Sequence, residues 1–178
     1  GGRRSEVGGR KTELQRTESQ RSVALHNPKP GSAMKKQIDP RMHSVEHILN
    51  QTMVRMYACR RCFTAHLGPK KSRCYFYFDH ALTQGEVDKI QARVNQVIAS
   101  DLPVSESFVS RDTAQWLYDT DKLPEGVGDH IRIVHIGDYD ACPCIGEHVP
   151  STGEIGKFRI TTTSFADSQL RIRFKLGK

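Results

Sequence analysis

The chain has 178 residues, 26% charged and 37% hydrophobic, enough for one domain with a real core. Its net charge of +7 divides into +4 on residues 1–33 and +3 on residues 34–178, so the folded part permits an RNA partner without demanding one. No apolar run approaches the ~20 residues of a membrane span, and no signal peptide is visible. Five cysteines, an odd number without the spacing of a secreted scaffold, fit cytoplasmic thiols or metal ligands better than disulfides.

Residues 1–33 read as a disordered tail of Gly, Arg, Ser, Gln and Glu with almost nothing to bury, and Asn27-Pro28-Lys29-Pro30-Gly31 breaks any helix. Met34-Lys35-Lys36 reads as a natural start, so the tail is expected to be a tag remnant or an over-extended reading frame; a basic arm for nucleic acid is the alternative.

Residues 42–58 predict a helix, with Val45, Ile48, Leu49, Met53, Met56 and Tyr57 at three- and four-residue spacing and Asp39-Pro40 as its start signal. His43 and His47, four apart, project from one face beside that stripe, as two ligands of one ion must. Residues 60–82 predict a hairpin, with strands at 63–67 and 73–79 around the turn Gly68-Pro69-Lys70-Lys71-Ser72. Cys74, Phe76 and Phe78 alternate with Tyr75 and Tyr77. Thr83-Gln84-Gly85-Glu86 is a capping box that opens a helix over 84–100 with Val87, Ile90, Val94, Val97 and Ile98 inward. A short strand at 104–109, a short helix at 111–118, a strand at 131–136 and two strands at 155–163 and 169–176 follow. The order implies an α+β domain over 34–178, a largely antiparallel sheet with helices packed on it, with no internal repeat.

Two short stretches carry the chemistry. His43-Ser-Val-Glu46-His47 and Cys144-Ile-Gly-Glu147-His148, 96 residues apart, each put two metal-ligand side chains four residues apart. His43, His47, Cys144 and His148 together supply the number and type of donors that tetrahedral zinc takes, in a closed structural site or one with an exchangeable position. Two other arrangements compete. His43-Ser-Val-Glu46-His47 matches the HxxEH pattern of inverted zinc peptidases, with Glu46 as general base. Cys59-Arg-Arg-Cys62 with Cys142-Pro-Cys144 offers a site of four thiolates. Lys70, Lys71 and Arg73, near Phe63, Tyr75 and Tyr77, suit an RNA end through phosphate contacts and stacking. The turn Thr152-Gly153-Glu154-Ile155-Gly156 offers backbone amides to a phosphate or an oxyanion.

The stretch from Cys144 to Ile160, Cys-Ile-Gly-Glu-His-Val-Pro-Ser-Thr-Gly-Glu-Ile-Gly-Lys-Phe-Arg-Ile, closely resembles the hallmark of alanyl-tRNA synthetase editing domains: Cys-Gly-Gly-Thr-His-Val, a spacer, then Thr-Gly-Glu-Ile-Gly and a strand. Met42 to Leu49 matches their HxxxH, and Leu170-Arg-Ile-Arg-Phe174 is like their final strand, so the resemblance runs from about Arg41 to Leu176. With no aminoacylation domain in these residues, the chain resembles a freestanding AlaX-type editing protein of the short form. The resemblance implies zinc on His43, His47, Cys144 and His148, which would be catalytic; with tRNA as substrate, the two turns noted above make Lys70, Lys71, Arg73, Thr152 and Gly153 the candidate tRNA contacts. It implies an ATP-independent hydrolase that removes serine, sometimes glycine, from mischarged tRNA for alanine, expected in the cytoplasm and off the membrane, with a monomer favoured and the oligomeric state left open by the sequence. Two positions depart from the pattern. Ile145-Gly146-Glu147 replaces Gly-Gly-Thr, so a carboxylate is expected beside the site, and Cys142 stands where threonyl-tRNA synthetase editing domains have an acid. Editing of serine on tRNA for threonine, and a non-catalytic tRNA- or protein-binding module with a structural zinc, are the alternatives.

Overall fold

A computed structural model describes residues 38–120, 123, 126 and 128–177. The tail expected over 1–33 lies outside the described residues. Helix α1, Pro40–Tyr57, begins where expected: Asp39 caps it by accepting the Arg41 amide, Pro40 fills the first turn, and Ala58 closes it in the left-handed region. Val45, Ile48, Leu49 and Met53 are fully buried, each stabilising the fold by roughly 1.5–3 kcal/mol through burial alone. Met56, expected in the same stripe, is exposed, because the helix outruns the core at its last turn.

Strands β1, Thr64–His66, and β2, Ser72–Tyr77, form the expected hairpin. Helix α2, Gln84–Ala99, opens on the Thr83–Glu86 capping box and buries Ile90, Val94, Val97 and Ile98. Strand β3, Val104–Ser110, leads into the short helix α3, Arg111–Leu117; then come β4, His130–Ile136, and β5, Asp140–Pro143. A single 3-10 turn, Thr152–Glu154, precedes β6, Lys157–Ala166, and β7, Gln169–Gly177. The last hairpin turns on Asp167 and Ser168 alone, both at positive φ as a two-residue type I′ turn requires, so β6 runs on to Ala166, past the end at 163 expected for that strand.

The α+β architecture holds, with every strand pair antiparallel. The strands divide into two sheets, one ordered β1-β2-β7-β6 and one ordered β3-β4-β5. Both long helices and the inner face of the four-stranded sheet share one core, with Phe76, Phe158 and Phe174 among its largest fully buried side chains. A smaller cluster of Ala114, Ile131 and Ile133 lies under α3. No helix among the described residues is long and apolar enough to cross a membrane.

The turn between β4 and β5 is fixed to α1. Arg55 donates to Tyr139 O at 2.7 Å and its guanidinium sits 4.4 Å from the Tyr139 ring centroid. Tyr139 Oη and Thr52 Oγ1 are 2.9 Å apart, both buried. These ties deliver Asp140, the first residue of β5, beside the middle of α1.

Candidate metal centre and cavity

One turn of α1 separates His43 from His47, and β5 feeds the loop that brings Cys144 and His148 to them. Arg132 on β4 clamps that loop, donating to Cys144 O at 3.0 Å and to Gly146 O at 2.8 Å, while its own carbonyl accepts the Cys144 amide at 3.1 Å. Ser44 anchors the other end: its hydroxyl accepts the Val149 N–H at 3.1 Å and lies 3.1 Å from His148 Nδ1. Gly146 is required between them. A Cβ there would lie 2.1 Å from His43 Cε1 and 2.5 Å from His43 Nδ1, so only glycine lets the loop pass over the imidazole.

The ligand atoms of His43, His47, Cys144 and His148 all lie within 4.8 Å of one another. Cys144 Sγ is 3.4 Å from His43 Nε2 and 3.5 Å from His148 Nε2. Each outer ring nitrogen faces a group that orients its ring. His43 Nδ1 donates to Glu147 O at 3.2 Å, since a carbonyl only accepts. His47 Nδ1 is 3.3 Å from Asp140 Oδ2, close but off the line of a hydrogen bond. Asp140 is itself held by Arg61, at 2.7 Å and 3.2 Å to its two oxygens. Three imidazole nitrogens and one sulfur, backed by a carbonyl, a carboxylate and a hydroxyl, are a donor set that fits zinc.

The electrostatics favour a thiolate at Cys144 and a proton on His47 that a metal would have to displace on binding. Burial by itself would push the Cys144 thiol up, but His148, His43 and His47 stabilise the thiolate and bring it down to about 3. Burial opposes a charge on His47, yet the Asp140 carboxylate, the Cys144 sulfur and Glu46 raise it to about 9. Burial also disfavours charge on Asp140, and attraction to His47 and Arg61 overcomes this, holding its carboxyl below the ordinary 3.8. Burial foremost pushes the Cys142 thiol up to about 12, and Cys142 lies outside the cluster of the three histidines with Cys144.

The four-cysteine alternative is not assembled. Among the described residues the clusters able to hold a metal are the three histidines with Cys144, and Glu46 with Cys62 and Cys74. Glu46 is 8% exposed; its Oε1 accepts from Asn50 Nδ2 at 2.6 Å and Cys62 Sγ at 3.3 Å, tying the hairpin entry to α1. The peptidase alternative, which left the second pair without a role, gives way because Cys144 and His148 join His43 and His47.

His43, His47 and Cys144 of this cluster form one wall of a cavity of about 630 Å³. Phe63, Ala65 and Leu67 of the hairpin and Ile145 supply apolar lining, and Thr64, Glu46 and Arg61 supply polar lining. Glu147 is exposed and does not line it; its backbone, rather than the expected carboxylate, serves the site through His43. Lys70 and Lys71 are exposed on the hairpin turn and Arg73 is half-buried on β2.

Thr152 and Gly153, expected to contact tRNA, belong to a turn whose polar groups are bonded within the protein, Thr152 buried and Gly153 exposed. Thr152 is 0% exposed, and its hydroxyl donates toward Val97 O and Ile98 O while accepting the Leu102 amide at 2.8 Å. The Gly153 amide is taken by Asp101 Oδ1 at 3.1 Å. This turn closes the C-terminus of α2, and its donors are already satisfied. Sequence reasoning missed Asp140, Arg61, Arg132 and Ser44. Only Ser44 carried a signal, lying inside the first histidine motif.

Residues 131–173 match the family profile described as the threonyl and alanyl tRNA synthetase second additional domain. The chain is 32% identical over 139 residues to an alanine–tRNA ligase of Fervidobacterium nodosum, an alignment that covers 78% of this chain and 16% of that protein. It is 32% identical over 117 residues to an alanine–tRNA ligase of Methanopyrus kandleri, covering 64% of this chain and 13% of the relative. A threonine–tRNA ligase of Syntrophotalea carbinolica is 28% identical over 140 residues, covering 70% and 21%. The chain therefore spans about a sixth of the length of the alanine–tRNA ligases it matches. By this homology, and with the fold and site described above, the chain belongs to the family of threonyl and alanyl tRNA synthetase second additional domains.

Proposed function

We propose that the domain is a zinc-dependent deacylase that hydrolyses the ester joining a wrong amino acid to the 3′ end of tRNA, serine on tRNA for alanine first and glycine second. The observation that carries this is the convergence of His43, His47, Cys144 and His148, the first three of them on the wall of a cavity, in a member of this family. A closed structural site would have no reason to border a cavity large enough for an aminoacyl-adenosine.

In this reading His43, His47, Cys144 and His148 hold the metal. Zinc, when bound, supplies Lewis-acid polarisation of the ester carbonyl. The protein's own groups do the rest. Phe63, Leu67 and Ile145 narrow the cavity and limit its water. Glu46 keeps Oε2 clear of its bonds to Asn50 and Cys62; there it takes the proton of the attacking water and returns it to the ribose oxygen as the acyl–oxygen bond breaks. Thr64 is in the cavity lining, and a hydroxyl there would give serine a partner that alanine leaves unpaired. Arg61 and Asp140 hold His47 in place. The substrate class carries with it a cytoplasmic location.

The test is to incubate the zinc-loaded domain with Ser-tRNA and Ala-tRNA for alanine. Serine is released faster than in buffer and alanine is not, and His43→Ala abolishes the release. A second reading, serine on tRNA for threonine, is favoured by the similarity to the threonine–tRNA ligase, and the same assay with Ser-tRNA for threonine separates the two.

A further inference from the structure

The four-stranded sheet has an outer face that the deacylase reading leaves unused. Its strands carry six Lys/Arg and no Asp or Glu. The inward positions are apolar: Cys74 and Phe76 on β2, Phe158 and Ile160 on β6, Leu170, Ile172 and Phe174 on β7. Alternation therefore turns all six cations outward: Arg73, Lys157, Arg159, Arg171, Arg173 and Lys175. Successive cations on β7 stand about 7 Å apart, a row suited to a repeating anion rather than to one small ion.

The centre of the face is left unsatisfied. Arg73 and Arg173 are direct cross-strand partners, like charges placed opposite each other, which destabilises a sheet unless something neutralises them. Neither forms an ion pair among the described residues, and Arg73 Nε is buried without a hydrogen-bond partner. The two arginines line a concavity of about 520 Å³ with His66, Lys71 and Ser72. Tyr75 and Tyr77 share this face, and Phe63 stacks on Tyr77 with ring centroids 4.4 Å apart. Tyr77 is 59% exposed, a flat surface for a base or ribose amid the cations. This concavity and the metal-side cavity share Ala65 and Leu67 as walls, so a chain whose end enters the second meets the first as it leaves.

We propose that the outer face of the four-stranded sheet, centred on the opposed Arg73–Arg173 pair, is the docking surface for the phosphate backbone of tRNA. That the occupant is tRNA rests on the deacylase reading; that it is a polyanion rests on the face itself. The face extends the hairpin contact expected at Lys70, Lys71 and Arg73 across β7 to β6, and it replaces the contact expected at Thr152 and Gly153.

The test measures binding of fluorescently labelled, uncharged tRNA for alanine by anisotropy, from about 50 to 300 mM KCl, which needs no hydrolysis. Arg73→Gln/Arg173→Gln is expected to weaken binding at least tenfold at low salt and to reduce the slope of log Kd against log salt by about two, one per phosphate contact. Arg73→Lys/Arg173→Lys is expected to retain most of that slope. With Ser-tRNA as substrate, KM rises for the glutamine variant while kcat is kept. The melting temperature of the glutamine variant is expected not to fall, since a repulsive pair is removed; Arg159→Gln/Lys175→Gln, at exposed positions, gives the same readout if it does. Folded variants with unchanged affinity and slope would overturn the proposal. So would tighter binding to vesicles containing phosphatidylserine than to tRNA, which would make the face a membrane surface. Salt-sensitive binding without deacylation sinks the deacylase reading alone, and deacylation with an unaltered salt slope sinks the docking surface alone.

Discussion

Replacing Asp140 with Asn removes one charge from an enclosed ion pair while keeping the side-chain volume. Asp140 is 4% exposed and holds Arg61 through two contacts of 2.7 Å and 3.2 Å, with His47 Nδ1 at 3.3 Å from the same carboxylate. Removing one partner of a buried pair costs about 3–5 kcal/mol, because the other charge stays buried and uncompensated. The Arg61 side chain keeps 16% of its surface in water, which favours the lower end, about 3 kcal/mol. For a domain of this size that is a fall of roughly 6–12 °C in melting temperature. Calorimetry at one fixed zinc concentration is the assay, since a bound metal shifts stability by mass action. The pH dependence has a definite sign. The folded pKa of Asp140 lies below its ordinary 3.8, so its contribution is present above 3.8 and is lost as pH falls through the folded value. The deficit of the Asn variant should therefore be full at neutral pH and close in acid. A loss under 1 kcal/mol, or a deficit independent of pH, would refute the claim that this carboxylate is held by Arg61 and His47.

Three further outcomes follow from the site. Gly146→Ala forces a methyl group to 2.1 Å from His43 Cε1, so His43 must leave its position; zinc affinity measured by competition with a chelator should fall about 10–100-fold, and unchanged affinity would contradict the packing of the loop on His43. Glu46→Gln should lower kcat for serine release by about 10²–10⁴ with KM little changed, and a wild-type rate would remove Glu46 as the proton acceptor. Thr64→Val should cut the preference for Ser-tRNA over Ala-tRNA about tenfold, measured as the ratio of kcat/KM values; an unaltered ratio would mean the serine hydroxyl finds its partner elsewhere.

The histidine pair was legible because spacing on a helix decides direction: four residues after His43, His47 must share its face whatever the rest of the chain does. The Cys144–His148 pair was legible as ligands, but its meeting with α1 depends on the β4–β5 hairpin and on Arg132, which clamps the loop from a strand away. β5 was too short, at four residues, to register as a strand. Arg61, Asp140 and Arg132 look like ordinary surface charges in sequence, because burial of a charge is decided by tertiary pairing. The Thr152 turn was misread for a related reason. A glycine-bearing turn near a ligand motif reads as a binding loop, whereas here its hydroxyl and amides complete the end of α2 and the loop after it. The division into two sheets could not be read from the chain, since β2 takes as partner β7, a strand almost a hundred residues later.

The most direct test of the central claim is single-turnover release of labelled serine from Ser-tRNA for alanine, comparing zinc-loaded wild type with the His47→Ala variant and with wild type stripped by chelator. Rapid release is expected from the loaded wild type, release near the buffer rate from the other two, and recovery of the stripped protein when zinc is returned. Zinc-loaded wild-type protein that binds tRNA yet releases serine no faster than buffer would contradict it.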